Sequence, residues 1–169
     1  MKKHTWVALA LALTLAAVFA AGQFSQAQAK GPAILEFGTM VGIPQAFTGT
    51  QNPIRGVNGG GLPWMISEGH GELKANGKLE IEVQGLVLAA GPNAGSNPIA
   101  SFRAIVSCLK SDATVENVTT AAFPATTGPA SAGGGDASIE ASLTLPQPCI
   151  APIVFVTSPG GAWFATTGQ

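Results

Sequence analysis

The chain has no tyrosine, only two cysteines and two histidines, and few charges: Asp, Glu, Lys and Arg together make up 10% of its 169 residues. After residue 30 it also lacks a sustained apolar repeat of 3.6 residues. Each shortage closes a route. With His4 close to the N-terminus, a nucleophile–histidine–acid triad must use His70 or not exist. No serine stands in G-x-S-x-G, and His70 sits between Gly69 and Gly71 in the middle of an expected strand. H-E-x-x-H and Cys/His clusters are both missing from the sequence, so conventional zinc sites are excluded. Gly59-Gly60-Gly61 and Gly133-Gly134-Gly135-Asp136 have neither the lysine nor the helix of a phosphate cradle and read as turns, so no cofactor is expected. The formal charge of −1 carries no basic stripe, and nucleic acid is not an expected partner.

The N-terminus has the order of an export signal. Lys2, Lys3 and His4 precede the apolar run Trp6 to Ala21, and the polar stretch Gln23 to Gln28 leads to Ala27-Gln28-Ala29 before Lys30. Residues 1–29 are therefore read as a signal peptide, with cleavage after Ala20 as the rival, and residues 30–169 as one domain. The apolar run is shorter than the roughly 20 residues a membrane-spanning helix needs, so no membrane span is expected in the mature form. The lysine pair, Ala/Leu-rich core and A-x-A site look bacterial, which places the product in the periplasm or outside the cell. Cleavage after Ala29 would leave nine carboxylates against six lysines and arginines, a net −3.

In an oxidising compartment Cys108 and Cys149, which lack C-x-x-C spacing, read as one structural disulfide. The alternative is a pair of free thiols packed as small hydrophobes. A bridge closing a loop of about 40 residues contributes roughly 4 kcal/mol in the chain-entropy picture.

What the mature chain does have is short runs rich in Val, Ile, Thr and Phe between Gly and Pro clusters, the pattern of an all-β protein. Strands are expected near 33–41, 64–74, 78–88, 99–110, 115–123, 137–145, 150–157 and 162–167. The expected fold is a single antiparallel, immunoglobulin-like β-sandwich of about seven or eight strands. Between Ala137 and Leu145 apolar odd positions alternate with polar even ones, so one face is wet. Ile150 to Val156, apolar at nearly every position, suits a central strand covered on both faces. Ile43–Pro63, Ala89–Pro98 and Ala125–Gly135 read as loops.

The hairpin at Asn76-Gly77 registers itself through its side chains. A two-residue turn would set Leu73 opposite Glu80, mixing apolar and charged residues on one face. A three-residue loop with Gly77 left-handed pairs Leu73 with Leu79 instead. Leu73, Leu79, Ile81 and Val83 then share the core face, while His70 stands opposite Glu82 and Glu72 opposite Glu80 on the other. His70, Glu72, Glu80 and Glu82 are thus the candidate ligands for a divalent cation, since adjacent carboxylates repel unless neutralised. The solvated sheet face with Lys74 and Lys78 as counter-charges is the alternative.

Trp64 after Pro63, and Trp163-Phe164 after the Pro159-Gly160-Gly161 turn, are candidate edge aromatics that with Asn58 of the Gly-rich loop would contact an extracytoplasmic protein or carbohydrate. The competing role for these rings is to plug the ends of the core. The runs Gly71–Leu86 and Ile153–Gly161 resemble a group of exported bacterial β-sandwich proteins of uncharacterised activity. The first run is also similar to chordin-type (CHRD) β-domains, in which a G-x-L hairpin leads to a G-L pair; the His-x-His that follows there is absent after Leu88. Both resemblances imply a β-sandwich and no activity. Taken together, an exported, disulfide-stabilised binding or structural module is the leading expectation, a divalent-cation-binding protein the alternative, and an enzyme is not expected. Intact-mass analysis of the exported chain should read about 2 Da below the reduced mass; two alkylatable thiols would contradict the disulfide.

Overall fold

Period-two alternation makes a strand and, in the same stroke, decides which side of it faces the core. The computed structural model describes residues 31–167, so the expected signal peptide lies outside the described residues. The strands are β1 (Ala33–Phe37), β2 (Met40–Gly42), β3 (Trp64–Met65), β4 (Glu68–Lys74), β5 (Lys78–Gln84), β6 (Val87–Leu88), β7 (Ser96–Asn97), β8 (Ser101–Leu109), β9 (Val115–Thr119), β10 (Phe123–Pro124), β11 (Gly128–Pro129), β12 (Ala137–Ser142), β13 (Ile150–Thr157) and β14 (Trp163–Thr167). Two single 3-10 turns, Gln45–Phe47 and Ala130–Ala132, accompany them, and the described residues form no α-helix.

Of the two main antiparallel sheets, one has the order β1-β4-β5-β12 and the other β10-β8-β13-β14-β2, with β9 also paired to β8; β3 with β6 and β7 with β11 form separate two-stranded ladders. The facing sides of the two main sheets form a single apolar core. Leu73, Leu79, Ile81, Val83 and Ile139 come from the smaller sheet, and Phe102, Ala104, Val106, Val154 and Val156 from the larger; all are buried. Fully burying a large apolar side chain stabilises by about 1.5–3 kcal/mol, so this layer holds the sandwich together. Trp64 closes one end, stacked on Phe164 at 3.9 Å and edge-on to Phe102 at 6.5 Å.

All eight expected strand segments contain strands, but several are divided where the chain changes partners. The run 78–88 breaks after Gln84 because Gly85 turns left-handed (φ 62°), its N–H held by the Asp136 carboxylate at 2.8 Å. The expected loops Ala89–Pro98 and Ala125–Gly135 pair with each other through β7 and β11. Two-residue ladders carry no alternation that a sequence could display. The hairpin register is as expected, with Leu73 opposite Leu79, Glu72 opposite Glu80 and His70 opposite Glu82. Gly77 has φ 86° and donates its N–H to the Lys74 carbonyl at 2.8 Å.

β13 is central, as its continuous apolar sequence requires, and the larger sheet is covered on its outer side by the segment 43–63. This strap pairs with β14: Trp163 donates to the Asn58 carbonyl, and Gly60 donates to the Trp163 carbonyl, both at 2.9 Å. The Trp163 ring lies between Phe47 of the strap and Phe155 of β13, at 6.3 and 5.9 Å. Gly59 is what permits this approach, since a side chain there would collide with the Phe47 carbonyl and the Ile43 side chain. The Cys108–Cys149 disulfide, with Cα atoms 4.9 Å apart, ties β8 to the residue entering β13.

At Gly77 a Cβ would be strained by the left-handed backbone and would run into the Leu143 carbonyl, whereas at Gly95 (φ 81°) it would meet open space. Gly77→Val is therefore expected to cost about 2 kcal/mol or more, and Gly95→Ala only the left-handed penalty of about 1 kcal/mol. Thermal melts of the two variants check this, and equal melting temperatures would contradict it.

Candidate functional site

The polar side chains that β4 and β5 turn away from the core do not stand alone. Cross-strand pairing lines up Glu36 of β1, Glu72 of β4, Glu80 of β5 and Glu140 of β12 in one row across all four strands of the smaller sheet. The next row holds His70, Glu82 and Ser138. A cavity of about 530 Å³ opens over these rows, lined by Glu36, His70, Glu72, Glu80, Glu82 and Glu140. Two glycines shape the sheet beneath it. On the core side of β4 the Phe37 ring occupies the space a side chain at Gly71 would need, and Met40 does the same at Gly69.

Neighbouring carboxylates across strands repel, and the structure offsets part of this locally. Lys74 Nζ is 2.7 Å from Glu72 Oε1, and Lys78 pairs with Glu80. Ser138 donates its hydroxyl to Glu82 at 2.6 Å. Glu36 and Glu140, at the two ends of the row, have no ion pair among the described residues. Lys74 departs from expectation: it is buried, 5% exposed, where a solvated counter-charge was expected. A buried ammonium needs a partner, and Glu72 supplies it.

The four candidate cation ligands are thus brought to one face, but spread over two rows. Among the described residues no three His, Cys, Asp or Glu side chains converge enough to hold a metal ion. The candidate edge aromatics are corrected outright as to exposure: Trp64, Trp163 and Phe164 are 5%, 2% and 5% exposed. Their rings plug the core and the space under the strap, because large apolar rings gain most when both faces leave water. Of that group Asn58 alone is exposed, and its carbonyl holds Trp163 in place. The Gly-rich loop and Trp163 do meet, but in a buried contact and not on a concave surface.

Sequence reasoning missed Glu36 and Glu140. The polar even positions of the 137–145 alternation announced a wet face at Glu140, but nothing local reveals that β12 pairs with β5. Comparison with protein-family models, with curated proteins and with solved structures finds no match to this chain. No helix among the described residues is long and apolar enough to cross a membrane.

The Glu80 carboxylate, hydrogen-bonded to Lys78 and attracting it, holds that ammonium above its ordinary value of 10.5, with Glu140 and Glu72 adding smaller attractions. A raised value means the pairing is in place at neutral pH and is lost as pH rises through the folded-state pKa. NMR titration of Lys78 should show a midpoint above 10.5 that falls back in Glu80→Gln; an unchanged midpoint would contradict the pairing.

Proposed function

We propose that the chain is an exported binding module, periplasmic or secreted, whose recognition surface is the acidic hollow and whose partner is an extracytoplasmic protein presenting lysine or arginine side chains. The observation that carries this reading is the segregation of charge. Glu36, Glu68, Glu72, Glu80, Glu82 and Glu140 lie on the outer side of the smaller sheet against Lys74 and Lys78, both already paired. Elsewhere in the described residues Arg55, Arg103 and Lys110 balance Asp112, Glu116 and Asp136. A surface of one sign over a concavity raises the local concentration of oppositely charged ligands and speeds their encounter.

Export rests on the N-terminal pattern and agrees with the disulfide. The acidic hollow repels phosphate backbones. A carbohydrate partner loses the exposed rings on which it would stack, since the tryptophans of the described region are buried. A divalent cation remains the second reading, favoured by the carboxylate row and opposed by its lack of convergence.

A fluorescent oligolysine peptide is the probe. It should bind the processed protein with an affinity that falls as salt rises. The Glu36→Gln, Glu140→Gln double variant removes the two carboxylates without ion pairs and should weaken binding roughly two- to tenfold, at the scale of two exposed ion pairs. Equal binding by wild type and variant would overturn this reading. A rise in melting temperature with millimolar calcium, lost in Glu72→Gln, would favour the cation instead.

A further inference from the structure

The strap over the larger sheet is docked less completely than the sandwich beneath it. Of residues 43–63 only Ile43 and Val57 bury large side chains; Gly59 and Gly60 are buried too, and the rest are exposed or half-exposed. Two groups at its contacts are buried without a hydrogen-bond partner: the Trp163 indole Nε1 and the Ser107 hydroxyl. Both belong to residues that the strap itself engages. Trp163 pairs with Asn58 and Gly60, and the Ser107 carbonyl accepts from Arg55 Nη1 at 3.0 Å. Arg55 is also a strained point, a non-glycine residue at φ 47°, whose own carbonyl accepts from Asn117 Nδ2 at 3.0 Å.

These observations share one direction. A closed strap holds an indole N–H and a hydroxyl without a protein hydrogen-bond partner and keeps one residue in the left-handed region. Opening the strap hydrates both groups and relaxes Arg55, which offsets part of the cost of uncovering Phe155 and Trp163 and of freeing Ile43 and Val57. We propose that segment 43–63 is a cover that opens as a unit independently of the sandwich, with the Arg55 hydrogen bonds to Ser107 and Asn117 as its latch. What it uncovers is an apolar shelf of Ile105, Phe155 and Trp163 carrying the two hydrogen-bonding groups. This shelf lies on the larger sheet, apart from the acidic hollow, so the inference stands whether or not that hollow binds a partner.

Amide hydrogen exchange of the processed, disulfide-intact protein tests it. The amides that bond the strap to β14, those of Gly60 and Trp163, should exchange at least about 100-fold faster than the protected amides of β8 and β13, as expected of a sub-global opening. Arg55→Ala, and separately Asn117→Ala, should speed the strap amides about tenfold, the value of a lost hydrogen bond, and leave β8 and β13 unchanged. Strap amides as protected as those of β8 and β13 in the wild type would overturn the proposal without any variant. Variants that speed strap and sandwich equally would overturn it as well, because the strap would then be part of one cooperative fold.

Discussion

A β-strand has only two faces, and the hairpin of β4 and β5 turns on that constraint. Placing Leu73, Leu79, Ile81 and Val83 in the core obliges His70, Glu72, Glu80 and Glu82 to share the other side. Pairing with β1 and β12 then extends the acidic face at both ends. Magnitudes decide that this arrangement is tolerable. Each like-charge cross-strand pair costs roughly 0.2–1 kcal/mol. Each of the four buried side chains contributes about 1.5–3 kcal/mol. Lysines beside the two central glutamates reduce the cost further, so the core wins and the carboxylates stay where the register puts them.

The two sheets treat their outer faces in opposite ways, and the sequences of their strands record it. β5 and β12 alternate because one side is wet, whereas β13 is apolar on nearly all of both sides and β8 is buried from Ala104 to Cys108 although its outer side carries Arg103 and Ser107. The strap also explains where the aromatic residues go. With Gly59 allowing backbone to approach backbone, Trp163 is enclosed between Phe47 and Phe155. On the far side of the same strand, Phe164 stacks on Trp64 in the main core.

This division also marks how far the sequence could be read. The hairpin register was legible because its two strands are adjacent in the chain and only one loop length keeps charge off the apolar face. The disulfide was legible because two cysteines allow one pairing. The full acidic row was not, since Glu36 and Glu140 join it through pairings with no local signal. Nor was the burial of Trp64, Trp163 and Phe164: an aromatic residue next to a Gly or Pro turn reads alike whether it caps a core or meets a ligand. The strap, a Gly- and Pro-rich stretch without periodicity, could be recognised as a loop but not as the second cover of a sheet. Lys74 has the position of a solvated residue, and only the folded surroundings reveal that it is enclosed with Glu72.

The acidic face and the disulfide are connected through stability. Three neighbouring glutamate pairs in one row would cost up to about 3 kcal/mol if nothing offset them. A cross-link closing a loop of this size contributes about 4 kcal/mol. The two are comparable, and typical domains are stable by only about 5–15 kcal/mol in all. A fold that keeps such a row uncovered gains nothing from it in stability, so the row is better explained by what it meets than by what it holds together. The bridge between β8 and the entry of β13 lies in the opposite sheet, where it can offset that cost without covering the carboxylates. The disulfide thus adds to the core burial and the paired lysines that keep the charged face tolerable, and it is a contribution that the proposed export to an oxidising compartment would secure.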